Sequence, residues 1–141
     1  MRFMILVKST PQDENVAPDP AMFEEMGKYN QSLADAGILL AAEGLTGSKD
    51  GAMVTFHKGG KSSVKDGPFT EARELIGGFW IIQVRSLDEA VAWAQRIPCF
   101  GEGAQVEVRR VAESSDFEDV MAPETLAREE ALREQLASKP N

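Results

Sequence analysis

Arg2-Phe3-Met4-Ile5-Leu6-Val7-Lys8 is the stretch on which the fold turns. Five apolar residues stand in a row with no polar alternation, so this strand is expected to be covered on both faces. Gly77-Gly78 opens a second strand, Phe79 to Val84, that is again apolar on both faces. Ile38 to Ala42 is a further apolar run that reads as a strand. The last strand alternates, with Ala104, Val106 and Val108 on one face and Gln105, Glu107 and Arg109 on the other. Val111 breaks that phase after Arg109-Arg110, which predicts a bulge.

Helices lie between these strands. Asp19 is placed as an N-cap with Pro20 at the first helical position. Met22, Met26, Tyr29 and Leu33 then recur on one face, and Gly37 sits where a left-handed residue ends the helix. The second helix starts at the capping box Ser86-x-x-Glu89 and stops at Pro98. Its stripe is Leu87, Ala90, Val91, Ala94 and Ile97. In the middle of the chain, Ala52 to His57 and Lys61 to Lys65 flank Gly59-Gly60, a hairpin signal.

Without the hairpin the order is βαββαβ, the ferredoxin-like pattern of the α+β class. Both helices of that pattern lie on one face of an antiparallel sheet. Two helices cannot hide two apolar faces, so the remaining face calls for another surface. The simplest supplier is a second copy, giving a two-fold homodimer.

The chain has 141 residues and a net charge of −8. From Glu113 onward there are eight acidic residues against three basic, so −5 of that charge lies in the tail. The division expected is a domain over residues 1–112 and an acidic helical extension over 113–141, with its helix from Pro123 to Ser138. An acidic protein does not suit nucleic acid or an anionic membrane as partner, since both reward Lys and Arg. The apolar runs are far shorter than the ~20 residues of a membrane helix. One cysteine, Cys99, and no signal peptide point to a reducing, cytoplasmic location.

Asp66-Gly67-Pro68-Phe69-Thr70-Glu71-Ala72-Arg73-Glu74-Leu75-Ile76-Gly77-Gly78-Phe79-Trp80 strongly resembles the signature of the YCII-related family, in its DGPF branch. Glu43-Gly44-Leu45, the helix from Ser86 to Pro98 and the strand at Glu107-Val108-Arg109 extend the resemblance over about residues 1–112. It implies a ferredoxin-like unit that dimerises sheet to sheet, a dimeric α+β barrel. One relative in that family acts as a dehydrochlorinase on chlorinated hydroxyquinols. The shorter branch is credited with a His–Asp pair, and DGPF members with links to extracytoplasmic-function sigma factors. Here the corresponding early histidine falls near Glu25, and the sole histidine is His57 in the hairpin, so that pair does not transfer.

Asp66 and Glu43 are the candidate acid/base groups. A carboxylate partly buried by Pro68 and Phe69 would make Asp66 a proton acceptor; the plainer account is an Asp-Gly-Pro turn. Glu43 follows an apolar run and is either a cleft carboxylate or half of a structural ion pair. Arg73, Arg109, Glu71, Phe69 and His57 are the candidates for holding a substrate, the arginines because a guanidinium grips a carboxylate with two parallel hydrogen bonds. Against that, Glu71, Arg73 and Glu74 also read as a solvated turn, and His57 as an exposed hairpin residue. Trp80, Trp93, Phe79 and Tyr29 read as core. No Cys or His pair, calcium loop or phosphate-binding glycine loop is present, so neither metal nor cofactor is expected. The function expected is small-molecule binding, with or without acid/base catalysis of the lyase, dehydrohalogenase or isomerase type on a small organic acid or phenol. The alternative is a regulatory module whose acidic tail contacts a protein.

Overall fold

The computed structural model describes residues 1–98 and 101–139. Cys99, on which the compartment argument rests, lies outside the described residues. Two compact units are formed, Met1–Arg110 and Val111–Asn141.

In the first unit the order is β1 (Arg2–Ser9), α1 (Pro20–Asp35), β2 (Leu39–Gly44), β3 (Ala52–Phe56), β4 (Ser62–Asp66), β5 (Leu75–Gln83), α2 (Leu87–Ala94) and β6 (Val106–Arg110). Four strands make an antiparallel sheet in the order β2-β5-β1-β6, and β3 and β4 pair as a separate ribbon. This is the ferredoxin-like α+β arrangement with a hairpin inserted between β2 and β5.

The helix ends follow their local chemistry. Asp19 accepts from the Ala21 amide at 2.9 Å and Pro20 opens α1. Gly37 takes φ +70°, and the Ile38 amide returns to the Leu33 carbonyl at 3.1 Å. Ser86 caps α2 through the Glu89 amide at 3.1 Å. The returning arm of the expected capping box lands one residue early, on the Arg85 amide at 3.0 Å. That backbone bond is the main reason the Glu89 carboxyl is held below its ordinary value. Regular α2 ends at Ala94, before Pro98, because the Arg96 and Ile97 amides tighten onto carbonyls three residues back.

Phe3, Ile5, Trp80, Ile82 and Val84 pack from the sheet against Tyr29 and Leu33 of α1 and Ala90 and Ala94 of α2. The register explains the set: Ile5 lies opposite Trp80 and Phe3 opposite Ile82, so all four share one face. Alternation sends their neighbours to the other face. There the cross-strand rows run Glu43, Phe79, Leu6, Glu107 and Ala41, Ile81, Met4, Arg109. The apolar members of those rows are only half-buried. The bulge expected near Arg109-Arg110 is not found, since β1 and β6 stay in unbroken register from Phe3↔Arg110 to Val7↔Val106. Val111 lies past the end of β6, so the change of phase marks the strand end. The irregularities fall instead at Val7/Lys8 and Leu39/Ala41, both against β5.

In the second unit, Glu113 and Asp116 reciprocally cap a 3-10 turn at Ser114–Phe117, and α3 spans Pro123–Ala137. Arg133 donates to the Glu113 carboxylate at 2.6 Å and ties the helix to that turn. No residue of α3 is fully buried. No helix among the described residues is long and apolar enough to cross a membrane.

Tyr29 is the only tyrosine of the chain. Its hydroxyl donates to the Trp93 carbonyl at 3.0 Å, and burial pushes its pKa up to about 12, opposed in part by Arg96. The native state therefore favours the neutral phenol. Its contribution to stability is complete below about pH 10, the unfolded value, and is lost as pH rises towards 12. Ultraviolet titration of the folded protein is expected to show no tyrosinate until well above pH 10, and Tyr29→Phe is expected to flatten the alkaline fall in stability.

Candidate functional site

Two cavities share part of their lining. The smaller, about 170 Å³, lies between α1 and the sheet and is lined by Met26, Asn30, Ala42, Trp80 and Val7 among others. The larger, about 810 Å³, lies between the segment after β1, the residues leading into β5 and those leading into β6. Val7 and Gly77 border both. Glycine is required at position 78, where a Cβ would come within 2.7 Å of the Glu43 carbonyl oxygen. At Gly77 a Cβ would meet Val7 and Ser9 at 3.6 Å, ordinary contact.

The larger cleft contains two cations in different states. Lys8 is engaged, 3.0 Å from Glu107 and 3.6 Å from Glu74, and its hydrogen bond to Glu107 leads the effects that raise its pKa. Arg73 is exposed and makes no hydrogen bond or ion pair among the described residues. Its guanidinium is therefore available to an anion.

The other sequence candidates are dispersed. Arg109 borders neither cavity; it stands on the sheet face turned from the helices, with Nε 3.7 Å from Glu107. Glu43 borders the smaller cavity from β2, but its register partner is Phe79, so alternation sends its side chain to the same far face as Arg109. Glu71 is exposed and 3.9 Å from Lys65. His57 sits at the hairpin turn, exposed, with Nε2 2.8 Å from the Ser63 hydroxyl. Phe69 is half-buried and packs towards Gly51.

Asp66 ends β4 and is exposed, so the partial burial expected of it is not found. The residues after it turn inward instead. A Cβ at Gly67 would land on the Ser48 carbonyl, and the Gly67 amide donates to the Gly51 carbonyl at 2.9 Å. The Phe69 amide donates to the Ser48 hydroxyl at 3.0 Å. Ser48 in turn donates its amide and its hydroxyl to the two carboxylate oxygens of Glu14, at 2.6 and 2.7 Å. Asp13, Val16, Ala17 and Pro18, on either side of Glu14, line the larger cleft. The Asp-Gly-Pro-Phe turn thus fastens one wall of that cleft to the base of the hairpin.

The profile of the YCII-related domain matches residues 1–115. The chain belongs to the YCII-related family. An uncharacterised protein of Rhizobium meliloti (strain 1021) is 31% identical to it over 77 residues, which cover 55% of this chain. The match spans 61% of that relative.

Three site residues of this YCII-related domain were not singled out in the sequence. Asn30 had a readable signal, being a polar residue four positions after Met26 on the apolar side of α1. Glu14 and Ser48 had none, as each sits in a polar loop. No cluster of three or more His, Cys, Asp or Glu side chains suited to a metal occurs among the described residues.

Ser48→Ala removes the hydroxyl that joins Glu14 to Phe69. It is expected to lower stability in chemical denaturation by roughly 1–3 kcal/mol, with Asp66→Asn within about 0.5 kcal/mol of wild type.

Proposed function

We propose that this YCII-related domain binds a small organic acid or phenolate in the larger cleft, with Arg73 holding the anionic end. A guanidinium with no partner among the described residues is the observation that carries this reading. A charged group left without a partner beside a cleft keeps its full capacity for a charge-assisted bond, whereas Lys8 has already spent its own on Glu107.

The catalytic form of the proposal places the substrate instead on the far face of the sheet, with Arg109 holding its anionic end and Glu43 transferring the proton, in acid/base chemistry of the lyase, dehydrohalogenase or isomerase type. Glu43 and Arg109 share the far face of the sheet, across Phe79 and Leu6 or across Ile81 and Met4. That chemistry needs a seam there, which the sheet-to-sheet homodimer of the DGPF branch would supply. Asp66 borders neither cavity and is the weaker candidate. A second reading, a regulatory module that meets a protein such as an extracytoplasmic-function sigma factor, is favoured by the exposure of Val120, Leu132 and Leu136 in the acidic second unit.

Arg73→Ala is expected to weaken binding of small carboxylates by roughly 10–100-fold in titration calorimetry, the loss of one charge-assisted interaction. Unchanged affinity would discard the assignment. The wild-type chain is expected to sediment as a dimer and Leu6→Asp as a monomer; a wild-type monomer at micromolar concentration removes the seam and the role of Glu43 with it.

A further inference from the structure

We infer that the ligand is an aromatic carboxylate: its ring occupies the smaller cavity beneath α1 while its carboxylate reaches Arg73 in the larger cleft. The inference rests on the anion-binding reading above and adds the class of the group behind the anion.

Volume is the first ground. A cavity of about 150 Å³ with an apolar lining is known to take up benzene, and this one measures about 170 Å³. Its mouth is open, so a ring can enter without unfolding the domain. Val7, Met26, Ala42 and Trp80 give it an apolar lining. Met26 adds a polarisable thioether that adapts to an aromatic edge.

Preorganisation is the second. The Trp80 indole N–H donates to Asn30 Oδ1 at 2.7 Å, and the Tyr29 ring meets the Trp80 ring edge-on, with centroids 5.6 Å apart. The indole N–H can only donate, so it fixes which amide atom of Asn30 faces it. The helix wall and the sheet wall are thus braced against each other and do not depend on a ligand to hold them apart. A rigid ring entering a rigid slot loses no internal rotation, whereas a flexible alkyl chain of the same size does. The slot therefore favours an arene over an alkyl chain.

Connection is the third. Val7 and Gly77 border both cavities, and Gly77 carries no side chain. A ring in the smaller space and a carboxylate in the larger can belong to one molecule.

The test is calorimetric titration of the full chain with acetate, hexanoate, benzoate, phenylacetate and 3-phenylpropanoate. At least one of the arene acids is expected to bind ten-fold or more tighter than both acetate and hexanoate. Ala42→Leu, which fills the smaller cavity, is expected to erase that advantage and leave acetate unchanged. Met26→Trp serves the same purpose from the helix side if Ala42→Leu does not fold. Arg73→Ala is expected to weaken the whole series. If hexanoate matches the arene acids, or if filling the cavity leaves phenylacetate binding intact, the aromatic assignment is overturned while the Arg73 reading stands. If no acid binds at all, both fall together.

Discussion

The indole of Trp80 sets the spacing on which the site depends. Consecutive residues of α1 hold it in different ways: Tyr29 through an edge-on ring contact and Asn30 through a hydrogen bond to the indole nitrogen. The Tyr29 hydroxyl continues to the Trp93 carbonyl, so α1, α2 and the centre of β5 are fastened around one side chain. A buried polar contact is costly to leave unmade, so these bonds fix both the rotation of α1 and its distance from the sheet. The space left between Met26 and Ala42, one turn of helix from the brace, is the smaller cavity.

The sheet itself is apolar on both sides. Phe3, Ile5, Trp80 and Ile82 disappear beneath the helices, while Met4, Leu6, Phe79 and Ile81 are only half-buried on the other side. Charged residues stand at both edges of that second face, Glu43 on β2 and Glu107 and Arg109 on β6. An apolar centre with a charged rim is the composition of a surface that meets another surface. The cavity beneath α1 and the far face therefore lie on opposite sides of one sheet.

The conspicuous Asp66-Gly67-Pro68-Phe69 turn works mainly through its backbone. Gly67 is glycine because the Ser48 carbonyl occupies the place of a side chain, and the Phe69 amide completes the bonding of the Ser48 hydroxyl. Glu14 accepts both donors of Ser48 and so draws the segment after β1 against the hairpin base. A motif that stands out in the sequence for its own chemistry thus shapes a cleft to which Asp66 contributes no lining atom.

The order of strands and helices, the start of α1 at Asp19-Pro20 and its end at Gly37 were legible in the sequence, because they follow from side chains acting on backbone within a few residues. So was the doubly apolar character of β1 and β5, which needs only a run of five residues to be seen. Arg73 could be named as an anion-binding candidate from its residue type alone. Its lack of a partner among the described residues, against the double engagement of Lys8, depended on where Glu74 and Glu107 came to lie. The bonds that make the cleft join residues 34 and 50 positions apart, Glu14 to Ser48 and Asn30 to Trp80. No local pattern encodes such pairs, since each partner is an ordinary polar residue until the sheet register and the helix packing bring them together. Tertiary structure likewise exposed Asp66 and turned Glu43 and Arg109 to the sheet face away from the helices, because the direction of a strand side chain is fixed only by its register with the neighbouring strand.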